Sequence, residues 1–147
     1  MNTQLTVTAA MVTILLAAGA CSPALDASAA KDANIEVTVD EFMNNQHIAR
    51  QVEMSEGGVL TVSLGSNPTT GFGWADVAQI GDETVLQQTE SKFVSPENEG
   101  LVGASGTQVW SFSALQKGTT TIHTEYGRPW EGGEKSVWTF ELTVTVK

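Results

Sequence analysis

The chain has 147 residues, of which 41% are hydrophobic and 16% are charged, a composition typical of one globular domain rather than a disordered chain. Its formal net charge is −10, from 17 acidic and 7 basic residues. Because phosphate binding needs clustered Lys and Arg, and the basic residues here are scattered, the composition argues against a nucleic-acid-binding protein.

The first residues indicate export. Residues 1–20 carry no charged side chain and are largely apolar from Ala9 to Ala18, a run too short to span a membrane and typical of a secretory signal peptide. Small residues then precede Cys21, the only cysteine in the chain, in an arrangement that resembles the bacterial lipoprotein signal. This resemblance implies that Cys21 is lipidated and becomes the first residue of the mature protein. The alternative is an ordinary signal peptide cut nearby, which would leave a free thiol.

The segment after the signal is predicted to be a flexible tether. Residues 21–34 are rich in Ala, Ser and Asp and show no apolar periodicity. In the lipoprotein resemblance, Ser22 after the cysteine favours transfer to an outer membrane. We therefore expect an exported protein that is lipid-anchored in the cell envelope, at the outer membrane or facing the periplasm. Residues 35–147 would form the folded domain.

From Ile35 onward, apolar residues recur at every second position, which is the signature of β-strands. The strand candidates are residues 35–39, 59–64, 74–80, 84–88, 91–94, 107–115, 119–126 and 136–146. Residues 42–49 have no clean period, and no segment after the signal has a helical one. About seven to eight short strands in a domain of this length predict an all-β fold, an antiparallel β-sandwich.

Three loops of unusual composition should emerge at the same end of such a sandwich, because neighbouring strands alternate in direction. The first loop spans Asn67–Gly73, the second Gly100–Gly106 and the third Gly127–Glu134. Each has a purely structural interpretation: an Asn-Pro turn, a glycine-softened turn, and a core tryptophan near a bend. An exposed Trp and Pro beside glycines, repeated at one end, is instead typical of a recognition surface.

These loops carry a family resemblance that spans essentially the whole domain. The motifs Asn67-Pro68-Thr69-Thr70-Gly71-Phe72, Gly103-Ala104-Ser105-Gly106 and Arg128-Pro129-Trp130 resemble, in order and spacing, those of the chagasin family of cysteine peptidase inhibitors. The second motif departs from the family's Gly-x-Gly-Gly at Ser105.

The resemblance implies an immunoglobulin-like sandwich that reversibly and competitively inhibits papain-like (clan CA) cysteine peptidases by occluding the active-site cleft. It places Asn67 to Phe72 over the catalytic Cys and His of the peptidase. The loop around Gly103 to Gly106 would follow the non-primed side of the cleft, and Arg128, Pro129 and Trp130 would cover the primed side.

Enzyme functions are disfavoured. The two histidines, His47 and His123, are far apart in sequence, no further cysteine is available for a zinc site, and no Gly-x-Ser-x-Gly motif occurs. We expect no catalytic residues, metal or cofactor, and a monomer whose partners are papain-like peptidases and, through Cys21, a membrane. The alternative is an envelope binding or adhesion module that displays the same loops to a non-protease partner.

Overall fold

The computed structural model describes residues 29–96 and 104–147. Its elements, in chain order, are β1 (Ala33–Val37), α1 (Val39–Asn44), β2 (His47–Met54), β3 (Val59–Ser66), a 3₁₀ turn (Pro68–Thr70), β4 (Gly73–Trp74), β5 (Gln79–Ile80), β6 (Leu86–Val94), β7 (Gly106–Ala114), β8 (Gly118–Gly127) and β9 (Trp138–Val146). The predicted signal peptide, Cys21, most of the predicted tether and Gly103 lie outside the described residues. Within the described part of the chain, no helix has the length and apolar character needed to cross a membrane.

The strands form two sheets around one hydrophobic core, which confirms the predicted all-β sandwich. The first sheet has the strand order β1-β3-β7-β6. The second has the order β2-β9-β8-β4, with β5 also paired to β8. Strands β7 and β9 alternate between buried and more exposed positions, as the sequence predicts. The largest fully buried side chains of the core include Trp110, Phe112, Phe140, Leu60, Leu64 and Leu142.

The sheets are mixed and so differ from the wholly antiparallel pairing that we expected. Strand β1 pairs in parallel with β3, and β2 pairs in parallel with β9. The crossover α1 explains both pairings. It takes the chain from the end of β1, beside the end of β3, to the edge of the other sheet, where β2 starts beside the start of β9. Two consecutive strands thereby join the edges of opposite sheets.

Both α1 and β2 lie partly in residues 42–49, where the sequence shows no clean period. Helix α1 has six residues, less than two turns, and buries Phe42 alone, so a period of 3.6 cannot appear. Strand β2 is an edge strand in which only Ile48 and Met54 are buried. An edge strand with two inward residues leaves too weak an alternation to recognise.

Strand pairing brings the three loops to one end of the sandwich. Ser66, the last residue of β3, pairs with Gly106, the first residue of β7, so the first and second loops leave adjacent strands side by side. Gly73 pairs with Gly127, so the first and third loops also adjoin. We call this the loop end.

The described chain enters the domain at the opposite end. Strand β1 begins at Ala33, two residues before the predicted domain start, and Ala33 pairs with Leu60 near the start of β3. The hydroxyl and backbone N–H of Ser55 donate hydrogen bonds to the carbonyl oxygens of Ala29 and Ala30, at 2.7 and 3.0 Å. The residues just before β1 are therefore held far from the loops.

Candidate functional site

An aromatic cluster underlies the loop end. It consists of Phe42 of α1, Phe72 of the first loop, Trp74 of β4, Tyr126 of β8 and Trp138 of β9. The Tyr126 ring stacks on Trp138 and Phe72, with centroids 4.6 and 5.8 Å apart, and Phe42 stacks on Trp138 at 5.3 Å. Trp74 lies tilted against Phe42 and Tyr126, at 5.0 and 5.1 Å. Because the five rings come from five elements, their packing fixes those elements relative to one another.

The first loop is a closed, capped 3₁₀ turn. The side-chain oxygen of Asn67 accepts hydrogen bonds from the Thr69 N–H at 3.3 Å and the Thr69 hydroxyl at 2.6 Å. The Thr70 hydroxyl donates to the Asn67 carbonyl at 2.8 Å. Gly71 ends the turn with φ 79°, and its N–H donates to the carbonyl of Pro68 at 3.1 Å. The tip, Pro68 to Thr70, is exposed and yet internally bonded, so the loop is stiff.

The base of the first loop is fastened to β8. The Tyr126 hydroxyl accepts the Asn67 N–H at 2.9 Å and donates to the Asn67 carbonyl at 3.3 Å. The indole N–H of Trp74, on the other side of the loop, donates to the carbonyl of Gly65 at 3.0 Å. The β3 stem of the loop is thus bonded both to Tyr126 of β8 and to Trp74 of the other stem, which fixes the position of the loop above the core.

The third loop folds back on itself around a lysine. The Arg128 N–H donates to the Glu134 carbonyl at 2.7 Å, and the Gly133 N–H donates to the Trp130 carbonyl at 3.1 Å. The Lys135 ammonium donates to the Trp130 carbonyl at 2.9 Å and also to the Arg128 carbonyl. Three donors therefore hold the backbone on both sides of the Arg-Pro-Trp motif.

The first and third loops contact each other through side chains. The Trp130 ring is 51% exposed and lies across Gly71, where a Cβ atom would be only 2.7 Å from the ring atom Cη2. The Arg128 guanidinium lies 4.4 Å from the centroid of the Phe72 ring and 3.5 Å from the Thr70 carbonyl, to which it donates. Trp130 is therefore a surface residue whose ring is held in place by its contact with Gly71, in contrast to the alternative that it belongs to the core.

The far stem of the third loop carries a strained serine. Ser136 has φ 51°, in the left-handed region that non-glycine residues rarely adopt. Its hydroxyl donates to a carboxylate oxygen of Glu125 at 2.6 Å, and the His123 ring lies 3.3 Å from the other oxygen. The Ser136 hydrogen bond, followed by that of His123, lowers the pKa of Glu125. The ionised Glu125 carboxylate thus stabilises the strained conformation of Ser136, through which the third loop connects to β9.

Only the last residues of the second motif are described. Ala104 is half-buried, Ser105 is exposed, and Gly106 is buried at the start of β7, while Gly103 lies outside the described residues. A Cβ atom on Gly106 would clash with the Phe93 ring and lie 2.7 Å from the carbonyl oxygen of Val94, both on β6. The glycine is therefore required by packing within the sheet, and Ser105 is the side chain that this motif presents to solvent.

The described residues contain no metal-binding cluster of three or more His, Cys, Asp or Glu side chains. His47 lies on β2, where its Nδ1 is 2.8 Å from the Thr139 hydroxyl, and His123 lies on β8 beside Glu125. Neither histidine is placed beside a nucleophile with a third residue to orient it, as hydrolytic catalysis requires.

Sequence reasoning missed three supports of the site: the Lys135 ammonium under the third loop, the Tyr126 hydroxyl under the first, and the seat of Trp130 on Gly71. Tyr126 has a signal, since it is an inward position of β8 just before the Arg-Pro-Trp motif. Lys135 has none, because one lysine among loop residues is ordinarily a solvated charge. The contact between loops depends on tertiary structure alone.

Comparisons with known proteins agree with the loop motifs. Residues 53–144 match the family model described as "Chagasin family peptidase inhibitor I42". Chagasin of Trypanosoma cruzi is 30% identical over 89 residues, which cover 58% of this chain and 79% of that protein.

Two solved structures share the fold. The cysteine protease inhibitor EhICP2 from Entamoeba histolytica aligns with a TM-score of 0.60 at 24% identity, covering 79% of this chain and 97% of its own. PbICP-C, solved in complex with falcipain-2, aligns with a TM-score of 0.53 at 18% identity, covering 77% of this chain and 99% of its own.

Proposed function

The chain belongs to the chagasin family of peptidase inhibitors and inhibits papain-like cysteine peptidases, and we propose that it does so reversibly and competitively, by occluding the active-site cleft with its three loops. The observation that carries this proposal is the first loop: an exposed, uncharged tip whose backbone is coiled and internally bonded, and whose two ends pair with Gly106 of the second motif and with Gly127 at the start of the third loop. It is an inhibitor and not an enzyme.

The first loop has the wrong conformation to be cleaved. A substrate of such a peptidase must present an extended peptide bond to the catalytic thiolate, with a free carbonyl oxygen that the enzyme can polarise. In the turn, the carbonyl of Asn67 accepts bonds from Thr70 and Tyr126, and the carbonyl of Pro68 accepts the Gly71 N–H. Bringing either bond into attack geometry would require opening the turn. The loop can thus fill the cleft over the catalytic Cys and His without acting as a substrate.

The tip also carries no charge that binding would have to desolvate. Pro68, Thr69, Thr70 and Gly71 are uncharged, and the net charge of −10 comes from elsewhere in the chain. A carboxylate at this position would lose its hydration inside the cleft and would contribute unfavourably unless it were paired. An uncharged tip suits a cleft that contains its own thiolate and imidazolium.

The loop surface is preorganised, which raises affinity because little conformational entropy is left to lose. The first and third loops are joined by the Arg128 guanidinium and by the Trp130 ring on Gly71. We propose that Arg128, Pro129 and Trp130 cover the primed side of the cleft and that the second loop, Gly103 to Gly106, follows the non-primed side. An interface of about 1,600 Å² is typical of such complexes.

Titration of papain with the full-length chain, purified in a mild detergent, tests this function. With a fluorogenic peptide substrate, we expect competitive, reversible inhibition at sub-micromolar concentration, by one inhibitor molecule per peptidase. Mass spectrometry of the recovered inhibitor should find the bonds of the first loop intact. Absence of inhibition by a cooperatively folded chain would contradict the proposal and favour a binding module for a non-protease partner. Cleavage in the first loop would contradict the mechanism.

We further propose that the protein is exported and held in the cell envelope by a lipid on Cys21, at the outer membrane or facing the periplasm. The signal-like residues 1–20 and the small residues before the cysteine support this. Consistent with it, the chain enters the domain at the end opposite the loops. A sandwich strand such as β8, of 10 residues, is about 30 Å long, so the loops would project away from the membrane by at least that distance.

Replacing Cys21 with serine tests the anchor. In cells fed an alkyne fatty acid, we expect the wild-type protein to be labelled and to enter the detergent phase of a Triton X-114 extraction. The Cys21→Ser protein should be unlabelled and should enter the aqueous phase, because two or three acyl chains supply the membrane affinity. Papain inhibition should be the same for both proteins. An unlabelled wild-type protein would refute the anchor and leave the inhibitory function intact.

A further inference from the structure

A fourth element, helix α1, also lies at the loop end. Val37, the last residue of β1, pairs with Leu64 near the end of β3, and His47, the first residue of β2, pairs with Thr139 near the start of β9. The helix between them therefore crosses the sandwich at the end where the first and third loops emerge. In the first sheet β1 and β7 lie on opposite sides of β3, so α1, after β1, and Gly106, at the start of β7, lie on opposite sides of the first loop.

The helix is rigidly fixed despite its length. Thr38 and Glu41 form a capping box, in which the Thr38 hydroxyl accepts the Glu41 N–H at 3.3 Å and the Glu41 carboxylate accepts the Thr38 N–H at 3.1 Å. Arg50 of β2 contacts the same carboxylate at 3.2 Å. The Phe42 ring is fully buried in the aromatic cluster. The surface of α1 is thus preorganised in the same way as the loops.

Burial of Phe42 turns the next residue outward. Met43 is 71% exposed and borders an apolar groove between α1 and the first loop. Among the residues that line the groove are Val39, Met43, Thr70, Phe72, Val137 and Trp138. An exposed methionine beside an apolar groove is a composition that recurs at protein interaction surfaces, because the flexible thioether adapts to the partner.

We propose that Met43 and this groove form a fourth contact with the target peptidase. The groove would receive an apolar side chain from the rim of the peptidase's active-site cleft, on the side away from the second loop. The groove is continuous with the proposed peptidase-binding surface, since Thr70 and Phe72 belong to both. The groove is lined by eight residues, whereas a stable contact with a second copy of the chain would need about 20–30 residues on each side. The proposal rests on the inhibitory function proposed above.

The test compares inhibition of papain by Met43→Ser, Met43→Leu and a matched control, all in the full-length chain in mild detergent. Leu115 is 48% exposed in the turn between β7 and β8, at the end opposite the loops, so Leu115→Ser removes a similar apolar side chain from a surface outside the proposed contact. We expect Met43→Ser to raise the inhibition constant about 5- to 10-fold and Met43→Leu and Leu115→Ser to leave it within about 2-fold. The melting temperature of Met43→Ser should stay close to that of the wild type.

Hydrogen exchange gives a second readout, in which papain should slow exchange of the backbone amides of residues 42–45. If the wild-type chain inhibits papain but Met43→Ser is equally potent, the fourth contact is refuted and the three-loop function stands. If the wild-type chain does not inhibit papain at all, the proposed inhibitory function is contradicted, and with it the fourth contact that rests on that function. A wild-type dimer in sedimentation velocity that Met43→Ser dissociates, with unchanged inhibition, would assign the groove to a second copy and also refute the proposal.

Discussion

Replacing Trp130 with alanine is expected to raise the inhibition constant for papain at least about 30-fold, the equivalent of about 2 kcal/mol of binding free energy. The Trp130 ring is half-exposed, lies across Gly71 and has the Arg128 guanidinium 5.7 Å from its centroid. It is therefore a large apolar side chain already held in one orientation, the kind of residue that dominates the energy of an interface. Tight-binding titration against papain measures the change.

Two controls separate this effect from unfolding. Because half of the Trp130 surface is in water in the free protein, its removal should leave a cooperative thermal transition. Leu115→Ala removes a side chain of similar exposure at the opposite end and should leave the inhibition constant within about 2-fold. An unchanged constant for Trp130→Ala would show that the third loop does not contact the peptidase through its tryptophan.

The parts of the fold that the sequence predicts are those in which one face of a strand is buried along its full length. Strand β9 shows this best: Phe140, Leu142, Val144 and Val146 are all buried between more exposed neighbours. The alternation of apolar and polar residues does not predict the structure where side chains, and not a neighbouring strand, bond the buried backbone. The expected strand at residues 74–80 is two short strands, because the Asp76 carbonyl between them accepts bonds from the Trp110 indole and the Gln88 amide instead of a neighbouring strand.

The candidate site divides in the same way. The three motifs and the end at which they lie follow from sequence, because the residues that would contact a partner are unusual for turns. The residues that support these motifs could not be predicted from sequence, since each has its role only through contacts that form in the folded protein. Lys135 holds two carbonyls and Ser136 occupies a strained conformation beside Glu125, and both would look the same in sequence if they were solvated. Helix α1 is hidden because its one buried residue gives no period.

Replacing Gly71 with alanine is expected to weaken inhibition of papain about 100-fold, through two separate causes. The residue has φ 79°, a conformation that costs an L-amino acid about 1–2 kcal/mol. The new Cβ would also lie 2.7 Å from Cη2 of Trp130, so either the ring must leave its seat or the first loop must move. The substitution thereby disturbs the centre of the proposed interface and its aromatic anchor together.

Gly57→Ala is a matched control, because Gly57 has φ 77° in the turn between β2 and β3, at the opposite end, with nothing within 4 Å of its would-be Cβ. Both variants should lose about 1–2 kcal/mol of stability through the backbone conformation, but only Gly71→Ala should lose inhibition. If Gly71→Ala acts by displacing Trp130, adding Trp130→Ala should weaken binding by less than the product of the two single effects. A full product would mean that the two residues act independently, and that the contact between the loops does not matter for inhibition.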